Sequence, residues 1–377
     1  MKKIFAMIGL ALPLLLASGA GAASIGWVQQ NYNTGSVGYL PRMTSDGWDA
    51  STDIFQTSTG FNYLAYQTAS VLFNEGTEVW APYAFYEIDS SGNYIIGHAP
   101  SIAVFTNVNN AVMTALEVHQ GGQDNGSELW YTLGSCNPGL QLPPCGGVDW
   151  LTGQSYDEGY NPSVAIDISI KFPAVSPVVE IHQVGSSLSD LRYRVGTLTS
   201  ATLNSKGTLI IPPSITWGPS YPIDNPDGAS VAGYAPSVSV ANGYVVVAYQ
   251  GTGGTLSYSF GQISGNVIGW QNPVNYDTGY SPSISMLGSD FAGGSAIVEV
   301  HQGETGTGPL HYRLGKLNSS TTPTGITWTP NSSTKYATSG CSPSVALQEF
   351  YGSLLVEELH STACGGAFPL LSSLGTF

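Results

Sequence analysis

Residues 279–330 read GYSPSISMLGSDFAGGSAIVEVHQGETGTGPLHYRLGKLNSSTTPTGITWTP. Four short runs stand out: PSISMLG (282–288), AIVEVHQ (296–302), LHYRLGKL (310–317) and GITWTP (325–330). Each is rich in β-branched or aromatic residues and is bounded by Gly, Pro, Ser or Asn, the pattern of strands separated by turns. No helical period of useful length occurs here or elsewhere after residue 23. The stretch reads as four consecutive strands.

The same unit recurs along the chain, and its clearest mark is G-Y-x-P-S-V/I. It stands as GYNPSVAI (159–166), GYAPSVSV (233–240) and GYSPSISM (279–286), with looser forms GYLPRM (38–43), GHAPSIAV (97–104) and GCSPSVAL (340–347). The prolines Pro41, Pro100, Pro162, Pro236, Pro282 and Pro343 are spaced by 59, 62, 74, 46 and 61 residues. Six units of four strands admit either a closed β-propeller or an open array. The chain ends favour closure. IGWVQQNYNTG (25–35) matches a fourth strand and its link, whereas LLSSLGTF (370–377) matches only a third strand. The expected fold is therefore an all-β, six-bladed β-propeller with about four antiparallel strands per blade, its last blade completed by the N-terminal strand. Trp27, Trp150, Trp217, Trp270 and Trp328, with Trp80, fall in fourth strands, where packing between blades is their expected role.

Residues 1–23, MKKIFAMIGLALPLLLASGAGAA, join two lysines, an apolar run and small residues, the grammar of an export signal. The run is too short for a comfortable span of roughly 20 residues, and no later stretch is apolar enough. Residues 24–377 are expected to form one propeller domain of a monomeric protein, secreted or periplasmic and bacterial. The net charge is -15, or -17 without Lys2 and Lys3, on a chain with only 9% charged residues. So few cations exclude a general nucleic-acid or anionic-membrane binder. Export permits disulfides, and local loop closure pairs Cys136 with Cys145 and Cys341 with Cys364.

The second strand repeats as EVHQ at 117–120 and 299–302, EIHQ at 180–183 and ELH at 358–360, with AYQ at 65–67 and 248–250 taken as worn copies. Residues two apart on a strand share a face, so Glu299 and His301 point the same way. Placing Gln302 opposite Leu310 sets Glu299 opposite Arg313, and the same register sets Glu180 opposite Arg194. These are the expected structural pairs. No third metal-ligating side chain recurs at a constant offset, so no metal site is expected. No cofactor is expected either, and calcium has no recurring ligand set to support it.

The stretches YDEGY (156–160) and YDTGY (276–280) read as loops emerging on the same ring face as the end of EVHQ. That face would gather Asp157, Tyr160, His182 and Gln183 in one blade and Asp277, Tyr280, His301 and Gln302 in another. Such groups suit sugar hydroxyls, and Tyr adds an apolar surface. Asp-x-Gly also makes ordinary turns, with Asp holding its own backbone. No residue set marks a catalytic triad, and no two carboxylates stand out as a glycosidase pair.

These repeats resemble secreted bacterial β-propellers, including lectin-like ones, over essentially the whole chain after residue 23. The chain lacks the Arg–Glu–Trp set of the six-bladed fucose-binding lectins and the S-x-D-x-G-x-x-W box of sialidases. The resemblance implies a binding protein for carbohydrate or another surface ligand, with a glycoside hydrolase or a plain protein-interaction module as the alternatives.

Overall fold

The computed structural model describes residues 24–376, apart from 46–49, 57–62, 75–76, 88, 91–92, 95, 108–111, 122–125, 137–147, 169–174, 205–208, 289–294, 320–321 and 351–352. The expected export signal, 1–23, lies outside the described residues. Strands dominate, joined by one short 3-10 turn at Thr252–Gly254, and there is no α-helix among the described residues.

The quoted stretch forms Tyr280–Leu287, Ala296–Gln302, Gly308–Leu317 and the start of Ile326–Phe350, each antiparallel to the next. Every other motif starts an equivalent group. In the third unit, Tyr160–Ile166 pairs with Val175–Gln183 and that with Ser189–Thr199, which carries Ser214–Trp217. The chain ends meet as expected. Gly26–Ser45 pairs antiparallel with Phe368–Thr376, with Trp27 opposite Gly375. The innermost strands touch in chain order, and the last touches the first: Gly26–Ser45, Gly97–Asn107, Tyr160–Ile166, Ala232–Ala241, Tyr280–Leu287, Ile326–Phe350. The fold is a β-propeller.

A belt of serines ties the inner strands together. The backbone N–H groups of Val164, Val238, Ile284, Val345 and Met43 donate to the Oγ atoms of Ser101, Ser163, Ser237, Ser283 and Ser344, at 2.8–3.2 Å. Each acceptor is the Ser of G-Y-x-P-S and each donor belongs to the next unit. The first unit carries Arg42 where the others carry this Ser.

The x of every motif takes the left-handed conformation. Leu40, Ala99, Asn161, Ala235, Ser281 and Ser342 have φ between 45° and 50°. None is glycine, so each costs on the order of 1 kcal/mol. The following Pro has no N–H for the ladder, and the pairing register breaks at this point in each first strand. The motif is thus a bulge that turns the backbone toward the ring axis. Its Gly lies against the third letter of EVHQ. A Cβ on Gly97 would sit 2.3 Å from His119, and one on Gly159 2.5 Å from His182.

The Trp side chains pack between units. Trp217 stacks on Tyr156 of the preceding unit at 5.3 Å, Trp328 on Tyr276 at 5.3 Å and Trp27 on Tyr336 at 5.1 Å. Cys341 and Cys364 are disulfide-bonded. Cys136 is also disulfide-bonded, and Cys145, its expected partner, lies outside the described residues.

Two expectations need correction. AYQ at 65–67 lies in a third strand, Leu64–Asn74. The second strand of that unit is Ala50–Gln56, where Asp53, Phe55 and Gln56 take the places of Glu, His and Gln. Tyr66 instead holds the third-strand Tyr position, edge-on to Trp150 of the next unit at 5.5 Å. YDEGY and YDTGY are not loops. Gln154–Glu158 and Val274–Thr278 are strands, continuing the fourth-strand edge alongside the third strands of their units.

Candidate functional site

The Glu and His of EVHQ share a face, as the strand period requires. The Nδ1 of His119, His182, His301 and His360 lies 2.9–3.1 Å from the carboxylate two residues before it. The four pairs are sealed, with Glu117, Glu180, Glu299 and Glu358 at 0% exposure. Burial alone would lower the His301 pKa, but the Glu299 carboxylate overrides it and leaves it raised. Burial raises Glu117 against the opposing pull of His119. The Tyr side chains of the preceding unit, Tyr156, Tyr276 and Tyr336, are pushed well above the usual phenol range. Burial is the main cause, followed by Glu180, Glu299 and Glu358 respectively.

The cross-strand register places Glu180 opposite Arg194 and Glu299 opposite Arg313, but the bonded partners differ from expectation. Glu180 is held by His182, while Arg194 Nε donates to Asp157 Oδ2 at 2.7 Å. Arg313 Nη1 lies 3.4 Å from Asp277 Oδ2 and donates to the Tyr276 carbonyl. The physical reason is reach. A guanidinium on the third strand extends past its neighbour to the strand edge of the preceding unit, while an imidazole two residues away already satisfies the Glu. Burial would raise the Asp157 pKa, yet Arg194 and the Glu158 N–H hold it below the usual carboxylate range.

Gln183 and Gln302 are also committed to the scaffold. Gln183 Oε1 accepts from Asn161 Nδ2 (2.7 Å) and from the Ala235 N–H (3.0 Å), and its Nε2 donates to the Ser187 carbonyl (2.8 Å). Gln302 Oε1 accepts from the Ser342 N–H at 2.8 Å and its Nε2 donates to the Gly306 carbonyl at 2.7 Å. Each glutamine therefore pins a left-handed motif residue of the following unit. Of the expected ligand residues, His182, Gln183, His301 and Gln302 are buried, Asp157 is hydrogen-bonded to Arg194 across a unit boundary, and Asp277 is ion-paired with Arg313 across another. These six join the seams between units, not a shared open face.

The open site lies at the motif bulges. A cavity of about 500 Å³ is walled by residues of every motif, among them Tyr39, His98, Tyr160, Asn161 and Tyr234. Tyr160 is thus the expected ligand residue that reaches it; Tyr280 stands beside it through its neighbour Ser281. Burial, and then the nearby Tyr234, raise the Tyr39 pKa, so two rings from well-separated motifs converge here. Gln56 Nε2 lies 3.3 Å from His98 Nδ1. No carboxylate is among the described residues lining the cavity. Below it the channel narrows to a space of about 70 Å³ between the serine-bearing strands, and Arg42 borders both spaces. Among the described residues there is no cluster of three or more His, Cys, Asp or Glu that could hold a metal.

The sequence alone did not single out Tyr39, His98, Tyr234 or Arg42. The signals were present in the residue before each x and in Pro-Arg standing where five motifs have Pro-Ser.

No protein-family model matches the chain, and no curated protein matches it in sequence. Solved structures do match. A protein of unknown function from Dyadobacter fermentans superposes with a TM-score of 0.51 at 12% identity, over 95% of this chain and 100% of that one. The NanB sialidase from Streptococcus pneumoniae matches with a TM-score of 0.50 at 9% identity, over 94% of this chain and 70% of that one. Trypanosoma rangeli sialidase matches with a TM-score of 0.49 at 12% identity over 91% of this chain, which spans only 55% of that enzyme. At these identities the likeness concerns the propeller fold alone.

Proposed function

We propose that the protein is an exported, monomeric, six-bladed propeller that binds a carbohydrate at the mouth of its central cavity without hydrolysing it. The observation that carries this reading is the cavity wall. Phenol rings offer flat apolar surfaces, and hydroxyl, amide and imidazole groups offer both donors and acceptors, the combination a sugar ring requires. The strained residues support it, because non-glycine left-handed backbone clusters where function demands it, and here six such residues ring one space. A hydrolase of the usual kind needs two carboxylates flanking the scissile bond, and the described cavity wall offers none. An interaction module without a ligand would have no use for a polar cavity of this size.

The test is a glycan array probed with residues 24–377, in calcium and in EDTA. Binding that survives EDTA, and that falls sharply in Tyr160→Ala and Tyr234→Ala, supports the reading. Absence of binding to any glycan sinks it. Release of new reducing ends from a bound glycan would favour the hydrolase instead.

A further inference from the structure

Arg42 breaks the serine belt at one point. In five units the equivalent Ser Oγ receives a backbone N–H from the next unit, whereas a guanidinium cannot accept that bond. Its Nη1 is buried with no hydrogen-bond partner among the described residues. Among the described residues no carboxylate is paired with it, and burial is the cause that lowers its pKa. Burial lowers its pKa to about 10, which leaves a full cation at neutral pH. Arg42 as a whole is half-buried and borders the cavity, and a partly desolvated cation without a counter-ion is costly; this chain has only ten Lys and Arg against 25 Asp and Glu. The cation stands at the throat of the cavity, beneath the Tyr and amide groups of its wall.

We propose that the ligand of this cavity is a carboxylated sugar, its carboxylate seated on Arg42 at the throat. A guanidinium presents a planar fork that matches a carboxylate with two parallel hydrogen bonds. One cation neutralises one negative charge, so the ligand carries a single acidic group near the bound end. The net charge of -15 repels polyanions, which selects a mostly neutral saccharide ending in a uronic acid over a heavily sulfated or phosphorylated chain.

This inference rests on the carbohydrate-binding reading above, and one experiment separates their fates. Calorimetry on residues 24–377 compares an oligosaccharide ending in glucuronic acid with its counterpart ending in glucose. The acid should bind about tenfold to a hundredfold more tightly, the range of a charge-assisted hydrogen bond. Arg42→Ser should bind both equally, at the affinity of wild type for the neutral sugar. Arg42→Ser also gives the repeat its own residue, so its melting temperature without ligand should equal or exceed that of wild type. Equal affinity of wild type for the two sugars overturns the carboxylate assignment while sparing the broader reading. So does a fall in melting temperature in Arg42→Ser, which would make Arg42 a structural residue. Failure of wild type to bind either sugar, or any glycan on the array, overturns both. Preferential binding of a sulfated oligosaccharide, abolished in Arg42→Ser, would keep the anion site and overturn the carboxylate.

Discussion

Asp53 occupies the Glu position of the repeated second strand, but Phe55 has replaced the imidazole that holds the carboxylate in four other units. Asp53 is 2% exposed, and its Oδ2 is buried without a hydrogen-bond partner among the described residues. Burial, followed by the Glu357 charge, raises its pKa from 3.8 to about 8. The folded protein therefore binds this proton more tightly than the unfolded chain does. Stability from the neutral form is fully present below about pH 4 and is lost as pH rises toward 8. A rise of roughly four pKa units, at ~1.4 kcal/mol each, corresponds to a loss on the order of 5 kcal/mol across that window. Asp53→Asn keeps the shape and cannot ionise. Thermal melts at half-unit steps from pH 4 to 9 should show the wild-type melting temperature falling relative to Asp53→Asn, with the two curves diverging up to about pH 8. Phe55→His restores the partner found in the other units and should shift the divergence to lower pH. Parallel curves for wild type and Asp53→Asn would refute the reasoning, because they would mean that Asp53 is solvated or charge-paired in the folded state.

Removing residues 24–30 takes away buried Ile25, whose N–H donates to the Tyr312 hydroxyl, and Trp27, stacked on Tyr336. The expected loss is ~5 kcal/mol or more by denaturant titration, and unchanged stability would contradict ring closure. Asp157 and Arg194 are each less than one-fifth exposed, and a double-mutant cycle should give a coupling of about 1 kcal/mol. The Asp157 pKa is lowered, so that coupling should be present above the usual carboxylate range and vanish as pH falls through the folded-state value. Gly159→Ala places a Cβ 2.5 Å from His182 Cδ2 and 2.7 Å from the Gln183 carbonyl. Neither neighbour can yield freely, so chemical denaturation should register a loss of ~2 kcal/mol or more. Ser replacement of Cys341 and Cys364 opens a link across 23 residues and should cost about 3 kcal/mol, read as a lowered melting midpoint.

Much of the architecture was legible in the letters. The strand period and the repeated GYxPS marked the strands, and the one register assumed for the hairpin, Gln302 opposite Leu310, set Glu299 opposite Arg313 as the structure has them. The offset between IGWVQQ and LLSSLGTF foretold the pairing of the chain ends. Charge partners were less accessible, since Arg194 meets Asp157 across a boundary between units, 37 residues back. Even so, a trace was there. YD-x-G precedes the two EVHQ-type strands whose hairpins carry Arg194 and Arg313, and Ala337 takes the Asp place where Ser373 replaces the Arg.

The cavity is where sequence reasoning stopped. EVHQ and YDxGY drew notice because they carry ionisable groups, yet low-dielectric burial turned those groups toward one another and sealed them. The residues left open are Tyr39, His98, Tyr160, Tyr234 and Arg42, spread over nearly 200 positions of the chain. Local pattern determined each strand, each bulge and each pairing, because these depend on neighbours in sequence. Only ring closure decided which side chains share one space, because it brings the same point of every unit to a common axis. The Arg at 42 became distinctive only once its five Ser counterparts were seen to form a belt around that axis.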